Sequence, residues 1–366
     1  MSFVRGRRSL AGVASPVKER YNEAKPMTAF NVVLGILGLA LLMVVHETGH
    51  LLAARAFGMR VIRFSIGFGP ALFRHQAKGS ETVYQIALIP FLAYVQIAGM
   101  NPFEEVDPED KGSYANASLV GRISAIFAGP LANYLFASVL FFAALMVGGE
   151  HVPTTTVETV EGAAKAAQMK AGDTIVSIDG TKVQGWEHMR GIIVKNPNKR
   201  LTFEIERGKE RMNLPITPQL KDGEGRIGIT PKHKVVPMSV KDAAVRSAIL
   251  PVRVVEQLVI GLARIITLKE KPDFRGPVGI VKDTSRAAEK SWGDYLSWLG
   301  ILSAYLGGFN LLPIPALDGG RLMFLTYEAV TRRKPNARVE AHVHALGLLM
   351  LLALIAVVSV FDIKGN

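Results

Sequence analysis

Residues 46–50 read His46-Glu47-Thr48-Gly49-His50, a His-Glu-x-x-His pattern. On an α-helix the two histidines share one face, one turn apart. Two imidazoles placed this way can ligate one Zn²⁺, and Glu47, next to the first of them, can polarise a water at the metal and take up its proton. The residues on either side sharpen this. Ala29 to Val45 carry no charge, and Leu51 to Ala54 are apolar. A glutamate and two histidines inside a membrane-length apolar segment are costly unless they pair, ligate a metal or face water.

A third ligand is needed, and the chain has no cysteine, so it must come from His, Asp or Glu. The best candidate is Asp318, in Asn310-Leu311-Leu312-Pro313-Ile314-Pro315-Ala316-Leu317-Asp318-Gly319-Gly320. Prolines and glycines around it predict a broken helix, and broken backbone at membrane depth belongs where it lines a cavity or is buried in protein. His342 and His344 lie at the start of the last apolar run. Their i, i+2 spacing points them to different helix faces, so they read as interfacial residues and not as ligands.

The elements that must position these groups follow from hydropathy. The chain has 366 residues, 49% of them hydrophobic, and a formal net charge of +12; its mean hydropathy is +0.24. Four segments reach spanning length, about 20 residues: 29–57, 119–147, 295–312 and 343–361. The stretch 248–268 contains Arg253, Glu256 and Arg264 on one face and predicts an amphipathic helix at the membrane surface. Residues 61–100 alternate and are rich in Val, Ile, Phe and Tyr, which predicts short strands close to the membrane, with an edge able to pair with an extended peptide. The expected divisions are a basic tail (1–28), a first membrane half (29–147), a soluble α+β domain (148–237), an amphipathic membrane-associated linker (238–290) and a second membrane half (291–366). Excess Lys and Arg in such a chain marks contact with anionic lipid. No basic stripe with interleaved aromatics suggests a nucleic-acid partner.

Together, His46-Glu47-Thr48-Gly49-His50, Gly129-Pro130-Leu131-Ala132-Asn133 and the Asn310–Gly320 stretch resemble the site-2 protease family of intramembrane zinc metalloproteases, in particular the bacterial regulators with one inserted PDZ domain. The resemblance runs from about Ala29 to Phe361. It implies a polytopic α-helical membrane protein with zinc on His46, His50 and Asp318 and with Glu47 as general base. It further implies that Asn310 holds unwound substrate or the oxyanion, and that Asn133 lies near the site and contributes to substrate binding. Gly172-Asp173-Thr174-Ile175-Val176-Ser177-Ile178-Asp179-Gly180 looks like a PDZ core, which would lie on the extracytoplasmic side of a bacterial inner membrane and could take a peptide ligand. The implied substrates are single-span membrane proteins, such as anti-sigma regulators already trimmed by another protease. The alternative is a catalytically silent PDZ-bearing scaffold, against which the intact His46, Glu47, His50 and Asp318 speak.

Overall fold

A computed structural model describes residues 28–101, 104–221, 223–267 and 276–364; the basic tail expected over 1–28 lies almost wholly outside them. The first helix, α1 (Ala29–Ala56), is capped by Thr28, whose Oγ1 accepts from Asn31 N. Its buried residues Gly35, Gly38, Leu42, His46, Gly49 and His50 recur at three- and four-residue spacing, so one stripe faces protein.

Strands β1 (Val61–His75) and β2 (Val83–Ile97) follow and form a sheet of their own. Phe64, Ser65 and Ile66 pair both with Tyr84, Gln85 and Ile86 and with Val95, Tyr94 and Ala93, so the start of β1 lies between the two halves of β2. That leaves the 93–97 segment at an edge. Leu51 and Ala54 of α1 pack with Met59, Val61, Phe64 and Ile97, which docks the sheet beside the histidine motif. At the far end Phe68, Leu72 and Phe73 are 55%, 68% and 59% exposed, an apolar tip suited to lipid.

Helix α2 (Leu119–Gly148) contains Pro130. Residues Leu145–Ala243 form a separate compact unit. It contains β3 (Glu150–Val160), α3 (Gly162–Ala166), β4 (Thr174–Ile178), β5 (Thr181–Lys182), α4 (Trp186–Val194), β6 (Leu201–Arg207), β7 (Glu210–Ile216), β8 (Gln219–Lys221), β9 (Glu224–Arg226) and β10 (Ile229–Val236). The main sheet runs β10-β3-β4-β6-β7, with β5 on β4. Leu201, Phe203 and Ile205 alternate inward from β6 onto Met189 and Ile193 of α4. Asp173 is fixed by the Arg207 guanidinium (2.7 and 2.8 Å) and by Lys170 N (2.7 Å).

Back in the larger unit, α5 (Val240–Ile266) packs Val254 against Ala137, Phe141 and Ala304. The helix expected to lie on the membrane surface is therefore partly bound to protein. Helix α6 (Pro277–Lys290) starts with proline in its first turn, and α7 (Trp292–Asn310) is capped by Ser291, which accepts from Asp294 N. The last two helices are α8 (Asp318–Thr331) and α9 (Ala337–Lys364).

Among the described residues, three helices are long and apolar enough to cross a membrane: α1, α2 and α9. The third of the four expected spans, now α7, is not among them. It buries Ser303, Ala304 and Gly307, and a helix surrounded by other helices can be small and polar where a lipid-facing one cannot. The break in the Asn310–Gly320 stretch is also narrower than expected. Gly307 and Gly308 stay inside α7, and Gly319 and Gly320 begin α8. The chain leaves helix only between them, where Pro313 and Pro315 lie.

Candidate metal centre

The three candidate ligands come from two distant parts of the chain. His46 and His50 project from α1 into the bundle, only 5% and 7% exposed. Asp318 is the first residue of α8, where its negative charge faces the helix N-terminus. His46 Nε2 lies 3.1 Å and His50 Nε2 3.5 Å from Asp318 Oδ2, and the two ring nitrogens are 3.2 Å apart. Donor atoms at zinc's usual bond lengths and tetrahedral angles are about 3.3 Å from one another, so the spacing fits that ion. The chemistry of the donors fits too. Asp318 Oδ2 is buried and accepts no hydrogen bond, an expensive state for an oxygen anion unless a cation fills the gap.

A neighbour fixes the tautomer of His50. His50 Nδ1 is 2.7 Å from Ala125 O. A carbonyl only accepts, so Nδ1 carries the proton and Nε2 keeps the lone pair a metal needs. His46 Nδ1 faces the Asn133 amide, Nδ2 being 3.3 Å away. With the isosteric amide turned so that Oδ1 faces the ring, His46 Nδ1–H donates and Nε2 is free in the same way. Asn133 itself is fully buried, at 0% exposure, and its backbone carbonyl accepts from Ser303 Oγ at 2.8 Å. Expected beside the substrate, Asn133 has a metal-ligand candidate as its neighbour.

Tight helix packing makes this possible. A Cβ at Gly49 would run into Ala128 O, and one at Gly129 into the His50 ring. Helices α1 and α2 thus meet closely where the histidines need room. On α8, Arg122 of α2 reaches Glu328 with both terminal guanidinium nitrogens, Nη1 at 3.0 Å, in a largely buried pair that anchors the helix carrying Asp318.

Glu47 points towards the sheet. Its Oε2 accepts the backbone N–H of Val95 at 2.9 Å. The 93–97 edge therefore lies directly against the general-base candidate, a contact the alternating pattern suggested only as proximity. Asn310 ends α7, and its Nδ2 donates to Leu306 O at 3.0 Å; no hydrogen bond joins it to the cluster. His344, expected at an interface, is partly buried, and its Nδ1 accepts from Ala316 N at 3.0 Å. Helix packing decides this, and no residue pattern signals it. His342 is exposed and bonds to Arg338 O.

Known proteins are similar to this chain along most of its length. A protein of Clostridium acetobutylicum is 32% identical over 340 residues, covering 92% of this chain and 98% of its own. The zinc metalloprotease RasP of Geobacillus kaustophilus is 30% identical, with 92% and 98% coverage. The regulator of sigma-W protease RasP of Bacillus subtilis is 28% identical, with 92% and 97% coverage. Residues 34–354, which take in every residue of the cluster, match the model of peptidase family M50, and the chain belongs to that family.

Proposed function

We propose that this protein is a zinc-dependent intramembrane endopeptidase that cuts single-span membrane proteins, with His46, His50 and Asp318 holding the metal and Glu47 as general base. The observation that carries it is the meeting of three lone-pair atoms, 3.1, 3.2 and 3.5 Å apart, two of them on α1, a helix otherwise apolar enough to cross a membrane. When bound, zinc supplies Lewis acidity that acidifies a water and polarises the scissile carbonyl. Glu47, held in place by the Val95 N–H, takes the water's proton and returns it to the leaving amine.

The substrate must be extended at the cut, because a helix keeps its carbonyls in its own hydrogen bonds. The 93–97 edge supports pairing with such a strand, since freed backbone groups left unpaired in lipid cost several kcal/mol each. Asn310 would join in by releasing Leu306 O. In this reading α7 is a fourth span beside α1, α2 and α9. The protein lies in the bacterial inner membrane, and the Leu145–Ala243 unit is a PDZ-like domain on the extracytoplasmic side. The name of the Bacillus relative, a regulator of sigma-W protease, supports anti-sigma-like substrates.

The test is metal content and cleavage of a model transmembrane peptide by the pure protein in detergent. Wild type should hold about one zinc per chain and cut. His46→Ala should lose most of its zinc. Glu47→Gln should keep zinc and fold but not cut, because an amide cannot accept the proton. Full zinc retention in His46→Ala, or wild-type cleavage by Glu47→Gln, would overturn the assignment.

A further inference from the structure

We infer that α9 is a positioning element of the metal centre: His344 and Gly347 clamp the loop between α7 and α8 and so set Asp318 against the two histidines. This rests on Asp318 being a ligand. Two independent contacts carry the clamp. The first is the hydrogen bond from Ala316 N to His344 Nδ1, 3.0 Å. The second is a close approach one turn further along α9. A Cβ at Gly347 would stand 2.7 Å from Pro315 O and would also strike the Pro315 ring. Only the bare glycine lets the loop come so near.

The loop needs holding. Ala316 adopts φ +76°, a left-handed conformation that a residue with a Cβ keeps only where its surroundings impose it. It lies two residues before Asp318, so relaxation at Ala316 swings the carboxylate away from His46 and His50. The His344 ring also packs against Phe324 of α8, with centroids 5.7 Å apart. One side chain thus touches both the loop and the helix that Asp318 begins. Because Nδ1 accepts, the proton is on Nε2, and that nitrogen is buried without a partner. An apolar ring would fill the space without burying an unpaired donor. What the imidazole adds is the bond to Ala316.

The experiment measures zinc affinity by chelator competition on the full chain in detergent, with helical content as the folding control. His344→Leu keeps bulk and loses the acceptor. His344→Asn keeps an acceptor, since Oδ1 of asparagine is as many bonds from Cα as Nδ1 of histidine. Gly347→Ala pushes on Pro315. Loss of an orienting partner near a metal weakens binding by about 10- to 100-fold, and that loss is expected for His344→Leu and Gly347→Ala, with most of it recovered in His344→Asn. Asp318→Ala is the reference and should lose most of its zinc. If Asp318→Ala loses zinc but His344→Leu binds it like wild type, the clamp is overturned. Should His344→Leu fail to fold, unchanged affinity in Gly347→Ala has the same force. If Asp318→Ala keeps zinc, the ligand assignment itself falls, and the clamp with it.

Discussion

Val95→Pro isolates the hydrogen bond that links the sheet to Glu47, the proposed general base. Proline removes the N–H that Glu47 Oε2 accepts at 2.9 Å and is tolerated at a sheet edge, which is where the 93–97 segment lies. A hydrogen bond to a charged group contributes about 1.5–3 kcal/mol. Since about 1.4 kcal/mol corresponds to a factor of ten in rate, kcat/KM should fall by about 10- to 150-fold. Val95 is also partly buried beside Leu51, Phe64 and Ile97, so a packing control is needed. Val95→Ala keeps the N–H and should stay within a few-fold of wild type. The assay is cleavage of a transmembrane peptide reconstituted in liposomes, with zinc content measured on the same samples. Zinc should be unchanged in both variants, because no ligand is touched. If Val95→Pro, folded and zinc-loaded, cuts at the wild-type rate, the edge holds neither Glu47 nor the substrate. A loss of the same size in Val95→Ala would refute the hydrogen-bond argument by a different route.

Other outcomes follow from the same geometry. Leu→Gly or Leu→Pro changes within a substrate's span should raise its cleavage rate by easing local unwinding; indifference to them in a peptide series would count against an extended bound form. Deleting residues 151–237, whose described residues hold no His-His-Asp cluster of the kind seen at the metal centre, should leave zinc binding intact and admit substrates with untrimmed ectodomains; abolished cleavage of every substrate with zinc retained would refute a gating role. Burial alone raises the Asp173 carboxyl, but the Arg207 guanidinium and Lys170 N–H outweigh it and hold the pKa below its ordinary 3.8. That stability is fully present above pH 3.8 and lost as pH falls through the folded value. Acid unfolding of this unit, followed by hydrogen exchange of its sheet, should lose that component in Asp173→Asn, and identical acid profiles would refute it.

The chemistry was the most readable part of the chain. Zinc restricts donors to a few residue types, and a helix restricts their spacing, so His46, Glu47 and His50 stand out against apolar neighbours. Asp318 stands out because prolines and glycines in a membrane-length segment demand an explanation. What the sequence hid was tertiary. Val95 contributes a backbone N–H, which any residue but proline would supply, so its type gives no sign. His344 is, as expected, no member of the metal cluster, but its bond to Ala316 had no sign in the sequence. The i, i+2 spacing does separate it from His342, and only the packing of α9 on the loop shows which of the two turns inward. Gly307 and Gly308 weaken a helix in isolation, yet α7 keeps them, and at Gly307 a Cβ would stand 2.7 Å from Pro130 O of α2. Close packing has offset propensity there.

Among the described residues, the two imidazoles belong to the first helix and the carboxylate to the next-to-last. This ordering has a consequence for biogenesis. With the metal held as proposed, a chain still on the ribosome would offer the ion two donors but not the third, and the protease would stay inert towards its neighbours in the membrane until its final third has been inserted. In the complete chain, a metal held as proposed would act as a cross-link between distant parts of the polypeptide. It closes a very long loop, and a ligand that binds only the folded form stabilises it. Stripping the ion should therefore do more than silence the enzyme: it should let the two membrane halves drift apart, and a protease probe added from outside should then reach the connection between α7 and α8.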